Sequence, residues 1–130
     1  MKKQLFFLLA FFLISAGAFA QGKIKVDSET KDFGKIAQGT PVTHEFTVTN
    51  TGKAPVVISN VTASCGCTTP KWSQAPILPG KTSKVSATYN AASVGPFNKQ
   101  ITVYSNAENS TVTMFLKGEV QQKAATKGVK

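Results

Sequence analysis

The sequence predicts an all-β fold, an antiparallel two-layer sandwich, on three observations. Apolar residues recur with a period of two in several runs, most clearly Val42, His44, Phe46 and Val48. That spacing buries one face of a strand and solvates the other. Turn-forming pairs such as Thr51-Gly52 and Pro79-Gly80 separate these runs at near-regular intervals. After the N-terminal apolar stretch, no segment carries helical apolar spacing over three turns.

The chain opens with a short basic start, Met1-Lys2-Lys3, an apolar run from Leu5 to Ile14, and small residues at Ala18 and Ala20. This is the layout of a secretory signal peptide cleaved before Gln21. The run is shorter than the roughly 20 residues a membrane span needs, and it holds no cysteine for lipid attachment. The domain plan is a signal peptide over 1–20, an immunoglobulin-like domain over 21–120, and a flexible Lys-rich tail over 121–130. The sequence lacks Arg, and cleavage leaves 13 Lys against 6 acidic residues, a net charge of about +7. Bidentate phosphate recognition favours the Arg fork, so no nucleic-acid partner is expected. The Lys residues read as a solvated surface.

Taken in order, Ile24 and Val26 between Lys residues suggest a first edge strand, and Gln38-Gly39 turns the chain. Val42 to Asn50 is the cleanest strand, followed by a turn at Asn50-Thr51-Gly52-Lys53. In Val56 to Val61 the apolar positions fall out of phase, and a β-bulge near Ser59-Asn60 restores them. Ala63 and Cys65 then join the inner face. From Thr68 to Lys81 the chain is turn-rich, with Pro76 and Pro79 limiting ladder pairing to a loop or edge segment. Thr82 to Tyr89, Phe97 to Ser105 and Thr111 to Val120 alternate as strands. About seven strands in roughly 100 residues is the pattern of an immunoglobulin-like β-sandwich, with a β-barrel as the alternative.

Cys65 and Cys67, separated only by Gly66, are the first candidate site. Three readings are open. In an oxidising compartment the pair can form a small disulfide ring, and strained rings are labile. Two thiolates can hold a soft metal such as Cu(I), although two ligands are too few for a closed zinc site. The pair can also remain two half-buried thiols packed as small hydrophobes. His44, the single histidine, is a candidate third ligand. A hairpin at Asn50–Pro55 would set His44 opposite about Val61, leaving it more than ~10 Å from Cys65. Trp72 is expected to cap the core, or else to form a binding surface with Ile77 and Leu78. Asp27, Glu29 and Asp32 read as solvated. Trp72, Tyr89 and Tyr104 are too few and too scattered for a carbohydrate platform. No catalytic set, resident metal or cofactor is expected.

Phe33-Gly34, Gly39, His44-Glu45-Phe46, Asn50-Thr51-Gly52, Ser64-Cys65-Gly66-Cys67-Thr68, Trp72, Pro79-Gly80, Gly95-Pro96-Phe97, Ser105-Asn106 and Gly118 form a series. With these residues the chain resembles an exported bacterial family, domain of unknown function 1573, related to Hydin-type and major-sperm-protein-like sandwiches. The resemblance spans roughly Lys25 to Val120, and its Ser-Cys-Gly-Cys-Thr element is the most specific part. It implies an Ig-like sandwich in the cell envelope and implies no activity. The expected function is therefore a non-enzymatic, exported, monomeric module, periplasmic or secreted, that binds another envelope protein. The alternative is a thiol-redox or copper-handling protein centred on Cys65-Gly66-Cys67.

Overall fold

A computed structural model describes residues 20–122. The expected signal segment, apart from Ala20, and nearly all of the expected tail lie outside the described residues. The described residues form eight strands and no helix: β1 (Ile24–Val26), β2 (Thr30–Ala37), β3 (Val42–Asn50), β4 (Ile58–Ala63), β5 (Thr68–Trp72), β6 (Thr82–Tyr89), β7 (Gly95–Ser105) and β8 (Thr111–Gln121). They form two four-stranded sheets, β1-β3-β6-β5 and β2-β8-β7-β4. This is the immunoglobulin-like sandwich, with eight strands where about seven were expected.

The alternating runs build the core. Phe46 and Val48 of β3, Val85 and Ala87 of β6, Ile101 and Val103 of β7, and Met114 and Leu116 of β8 are fully buried between the sheets. The bulge expected in β4 is present: Ile58 pairs with Ser105 and Asn60 with Tyr104, so Ser59 is the extra residue. It brings Ile58 and Val61 onto one buried face.

Two expectations are corrected. The turn after β3 is not a hairpin. It carries the chain from one sheet to the other, and β3 pairs with β1 and β6 instead. The cause is Asn50, whose side chain is wholly buried. Its Nδ2 donates to the carbonyls of Ala54 and Ile77, both at 2.8 Å. Its Oδ1 accepts the N–H groups of Gly52 at 2.9 Å and Lys23 at 3.3 Å. All four hydrogen-bonding positions of the amide are used, and they hold the crossover against the N-terminal segment and the loop before β6. Gly52 is required there by space, because a Cβ would strike the backbone of Gln21 and Lys23. The second correction concerns strands. Thr30–Ala37, for which no strand was expected, is paired, and of the loop or edge segment expected after Cys67 the part Thr68–Trp72 is an edge strand. β2 runs parallel to β8, with a register shift between Asp32 and Lys35.

Candidate functional site

The two cysteines occupy the corner where the chain passes from β4 in one sheet to β5 in the other. Ser64 extends the β4–β7 pairing by one rung: its N–H reaches the Gln100 carbonyl at 2.9 Å, and its Oγ accepts the Gln100 N–H at 3.1 Å. On the far side of the turn, the Cys67 carbonyl accepts the N–H of Asn90 at 2.9 Å, just past the end of β6. The corner is thus pinned to both sheets by main-chain bonds. Within it Cys65 and Cys67 adjoin, with Cα atoms 5.2 Å apart, a separation that a disulfide spans.

Both cysteines are half-buried, and Cys67 packs against the core. Between and beneath them sits Thr68, buried, with its Oγ1 at 3.9 Å from each sulfur. Thr68 belongs to the Ser-Cys-Gly-Cys-Thr element, but no role at the site was expected of its side chain. Its signal was its place as the first residue after the second cysteine, where an inward hydroxyl needs a partner. Gly66 is exposed, its φ is not positive, and a Cβ there would meet nothing within 4 Å. Neither space nor backbone conformation explains glycine at this position.

His44 lies elsewhere. It is opposite Ala87 of β6, and Pro70 of β5 lies opposite Ala87 on the other side. Two strand spacings, ~9.6 Å, therefore separate His44 from β5. The expected register against Val61 is replaced, because β4 belongs to the other sheet. The imidazole packs edge-on against Phe46, ring centroids 4.7 Å apart. No group of three or more His, Cys, Asp or Glu side chains suited to a metal occurs among the described residues. Burial, followed by the positive charge of Lys31, holds His44 below its ordinary pKa. Since the folded value lies below the unfolded one, the stability contributed is complete above the ordinary imidazole range. It is lost as pH falls through that range. The urea midpoint is expected to drop slightly between about pH 7.5 and pH 5, and His44→Gln should remove that part of the drop. An equal drop in the variant would assign it to other groups.

The surface proposed for Trp72, Ile77 and Leu78 does not assemble. Ile77 is buried in the core, where it bridges Val56. Trp72 is half-buried against the core, and its Nε1 is buried without a hydrogen-bond partner. Only Leu78 stands out, 54% exposed. Ile77 carries no surface signal in sequence, because its neighbours Pro76 and Pro79 suggested a loop and concealed a bridge. Tyr89 is buried, while Tyr104 on β7 is 40% exposed. Among the described residues no helix is long and apolar enough to cross a membrane.

The family profile described as "Protein of unknown function (DUF1573)" matches residues 24–120. Among solved structures, the chain is similar to a protein of unknown function from Porphyromonas gingivalis W83, with TM-score 0.67 and 18% identity over 75% of this chain. The chain spans 46% of that protein's length. It is also similar to PapD-like domain 7 of human CEP192, with TM-score 0.65 and 12% identity over 78% of this chain and 87% of that one. A third likeness is to SSP-19, an MSP-domain protein like family member in Caenorhabditis elegans, with TM-score 0.55 and 14% identity over 73% of this chain and 98% of that one. At these identities the likeness is one of fold. No curated protein matches the chain.

Proposed function

The chain belongs to the family of proteins of unknown function DUF1573, and from that premise we propose that it is a non-enzymatic, exported Ig-like module that binds another protein of the cell envelope. One observation carries this reading: among the described residues, the side chains with chemical capacity do not converge. The sulfurs face each other at a sheet-to-sheet corner, His44 is two strands away from β5, and the carboxylates of Asp27 and Asp32 are spent on main-chain N–H groups of Thr47 and Gly34. A sandwich pinned at its crossovers is suited to presenting a surface. The N-terminal signal-like segment supports export. In-cell crosslinking of the mature protein is expected to recover one specific envelope protein. Turnover of a substrate, with no partner recovered, would count against the reading.

A second reading, thiol exchange or Cu(I) handling at Cys65 and Cys67, is favoured by the exposure of Gly66 beside the two half-buried sulfurs. In the first reading the pair is a structural disulfide. Protein purified without reductant is then expected to be two daltons lighter than the reduced form and to resist alkylation. Rapid alkylation, or copper retained at one equivalent without chelator, would favour the second. A three-residue ring removes little loop entropy. Reducing the bond, or replacing it by Cys65→Ala with Cys67→Ala, is expected to cost only about 1–2 kcal/mol. Denaturant midpoints with and without reductant test this, and complete unfolding on reduction would contradict it.

A further inference from the structure

Unpaired strand edges invite pairing with other chains, and stable β proteins blunt them. Each terminal strand here carries such a device. β1 is three residues long, and Asn109 takes both polar groups of Ile24, accepting its N–H at 2.9 Å and donating to its carbonyl at 2.6 Å. β2 breaks register after Asp32, where Gly34 has φ of 66° and donates its N–H to Asp32 Oδ1 at 2.8 Å. β4 is bulged at Ser59, and Asn60 Oδ1 turns back onto the N–H of Val61 at 2.9 Å. β5 has Pro70 at its centre, which offers no N–H. β6 extends past β5 only over Thr82–Lys84.

One stretch has no such device. β1 covers β3 only from Val48 to Asn50. Asp27 supplies one more rung, donating its N–H to the Thr47 carbonyl and accepting the Thr47 N–H on Oδ1, both at 3.0 Å. The chain then leaves to build β2 in the other sheet. Thr47 therefore directs its main-chain groups away from β6, as does Thr51, which bonds Lys23. Asn50 directs its own toward β6, to Gly80 and Lys81. In an extended strand these directions alternate. The N–H and C=O of Glu45 and Thr43 therefore point to the Asp27 side, and no hydrogen bond reaches them there among the described residues. The seam between the sheets is incompletely closed on this flank. Val26, Phe33, Ile36 and Val42 are only partly buried against the core. Lys31 stands over the Phe33 ring at 5.7 Å and bears on His44.

We propose that Val42–Phe46 is a strand-addition site. It takes an extended segment of another polypeptide, paired through the main-chain groups of Thr43 and Glu45, with apolar and acidic side chains on its inward row. This rests on the protein-binding reading above and names the chemistry of its partner. Unpaired main-chain groups are met best by another main chain. Five residues span about 17 Å, the length of a short strand. Apolar inward side chains meet Phe33 and Val42, and an inward carboxylate meets Lys31. A second copy fits poorly, because a two-fold pairing of β3 edges would set Lys31 against its counterpart on chains of like net charge. The chain's own terminus, Gln121–Lys130, is basic and lacks the complementary charge.

The test is amide hydrogen exchange by NMR on the full chain, with the synthetic peptide Thr-Val-Thr-Glu-Thr-Val-Thr as probe. In the free protein the Thr43 and Glu45 amides are expected to exchange at least about 10-fold faster than those of His44 and Phe46, and the peptide should slow them by a similar factor. Glu45→Pro removes one outward N–H without touching the β6 ladder, and should abolish the protection. Should that variant fail to fold, Lys31→Glu provides a second arm. It is expected to weaken this peptide about 10-fold and to favour one with Lys in place of Glu. The proposal is overturned if millimolar peptide shifts nothing in Val42–Phe46, if Glu45→Pro binds it equally, or if Thr43 and Glu45 are already protected in the free chain, by self-association or otherwise. A silent edge together with a specific crosslinked envelope partner would sink strand addition while leaving the protein-binding reading intact.

Discussion

Asn50→Asp is expected to destabilise the domain by about 3–5 kcal/mol at neutral pH, enough to unfold much of a domain of ordinary stability. The substitution keeps the shape and the oxygen that accepts from Gly52 and Lys23. It replaces the Nδ2 donor by an acceptor facing the carbonyls of Ala54 and Ile77, and it places a charge where the native residue has no solvent exposure. The introduced carboxyl has a folded pKa raised by burial and by those carbonyls. Its sign is therefore fixed: the variant recovers stability in acid and loses it as pH rises through that value. Asn50→Ala should cost about 2–4 kcal/mol with no comparable pH dependence, because it leaves two carbonyls and two N–H groups unmet. Urea denaturation at two pH values measures both. A wild-type midpoint in Asn50→Asp would show that the crossover is held by something else.

Phe97→Ala carries the second large effect, about 3–5 kcal/mol. Phe97 stacks on Tyr89 with centroids 4.2 Å apart and planes at 25°, and contacts Phe33 at 6.5 Å. It also lies over Gly118 directly across the β7–β8 ladder. A Cβ at Gly118 would come within 2.9 Å of the Phe97 ring and 2.7 Å of the Gly34 carbonyl. The glycine is therefore a slot into which the ring and β2 both settle. Removing the ring empties that slot and frees Tyr89 and Phe33 together. Phe97→Leu retains part of the volume and should cost about 1–2 kcal/mol, the remainder reflecting the aromatic stack. Chemical denaturation gives the stabilities, and near-UV circular dichroism reports the loss of tyrosine packing. A change under about 1 kcal/mol for the alanine variant would mean that the cluster relaxes around the void.

The strands legible in the sequence were those buried on one face without interruption. Val42–Asn50 and Thr82–Tyr89 have the predicted bounds because inward and outward residues alternate in both, as Phe46 and Val48 do in the first and Val85, Ala87 and Tyr89 in the second. The bulge at Ser59 was legible from a phase slip between Ile58 and Val61. β2 was not, because the slip between Asp32 and Lys35 puts Phe33 and Ile36 three residues apart, and a parallel partner 85 positions away leaves no local trace. β5 was hidden by Pro70, which an edge strand tolerates. Pairing was less legible than strand position. Asn50-Thr51-Gly52 has hairpin chemistry, and only the burial of the Asn50 amide distinguishes a crossover from a hairpin. At the candidate site, the adjacency of Cys65 and Cys67 followed from their spacing. The register of His44 did not, since it depended on that same turn.

The parallel pairing of β2 with β8 bears on how the chain acquires its structure. Thr30 is opposite Phe115 and Ala37 opposite Gln121, so the earliest long strand waits for the latest one. A chain emerging N-terminus first can assemble β1-β3-β6-β5 once Tyr89 has appeared, but the β2-β8-β7-β4 sheet that covers its inner face has to await Thr111–Gln121. Most of the native pairings join distant parts of the sequence, and such topologies fold slowly because loop-closure entropy must be overcome before contacts are gained. The half-built sandwich should therefore carry an uncovered apolar face during its emergence, and close over it only when the last strand arrives.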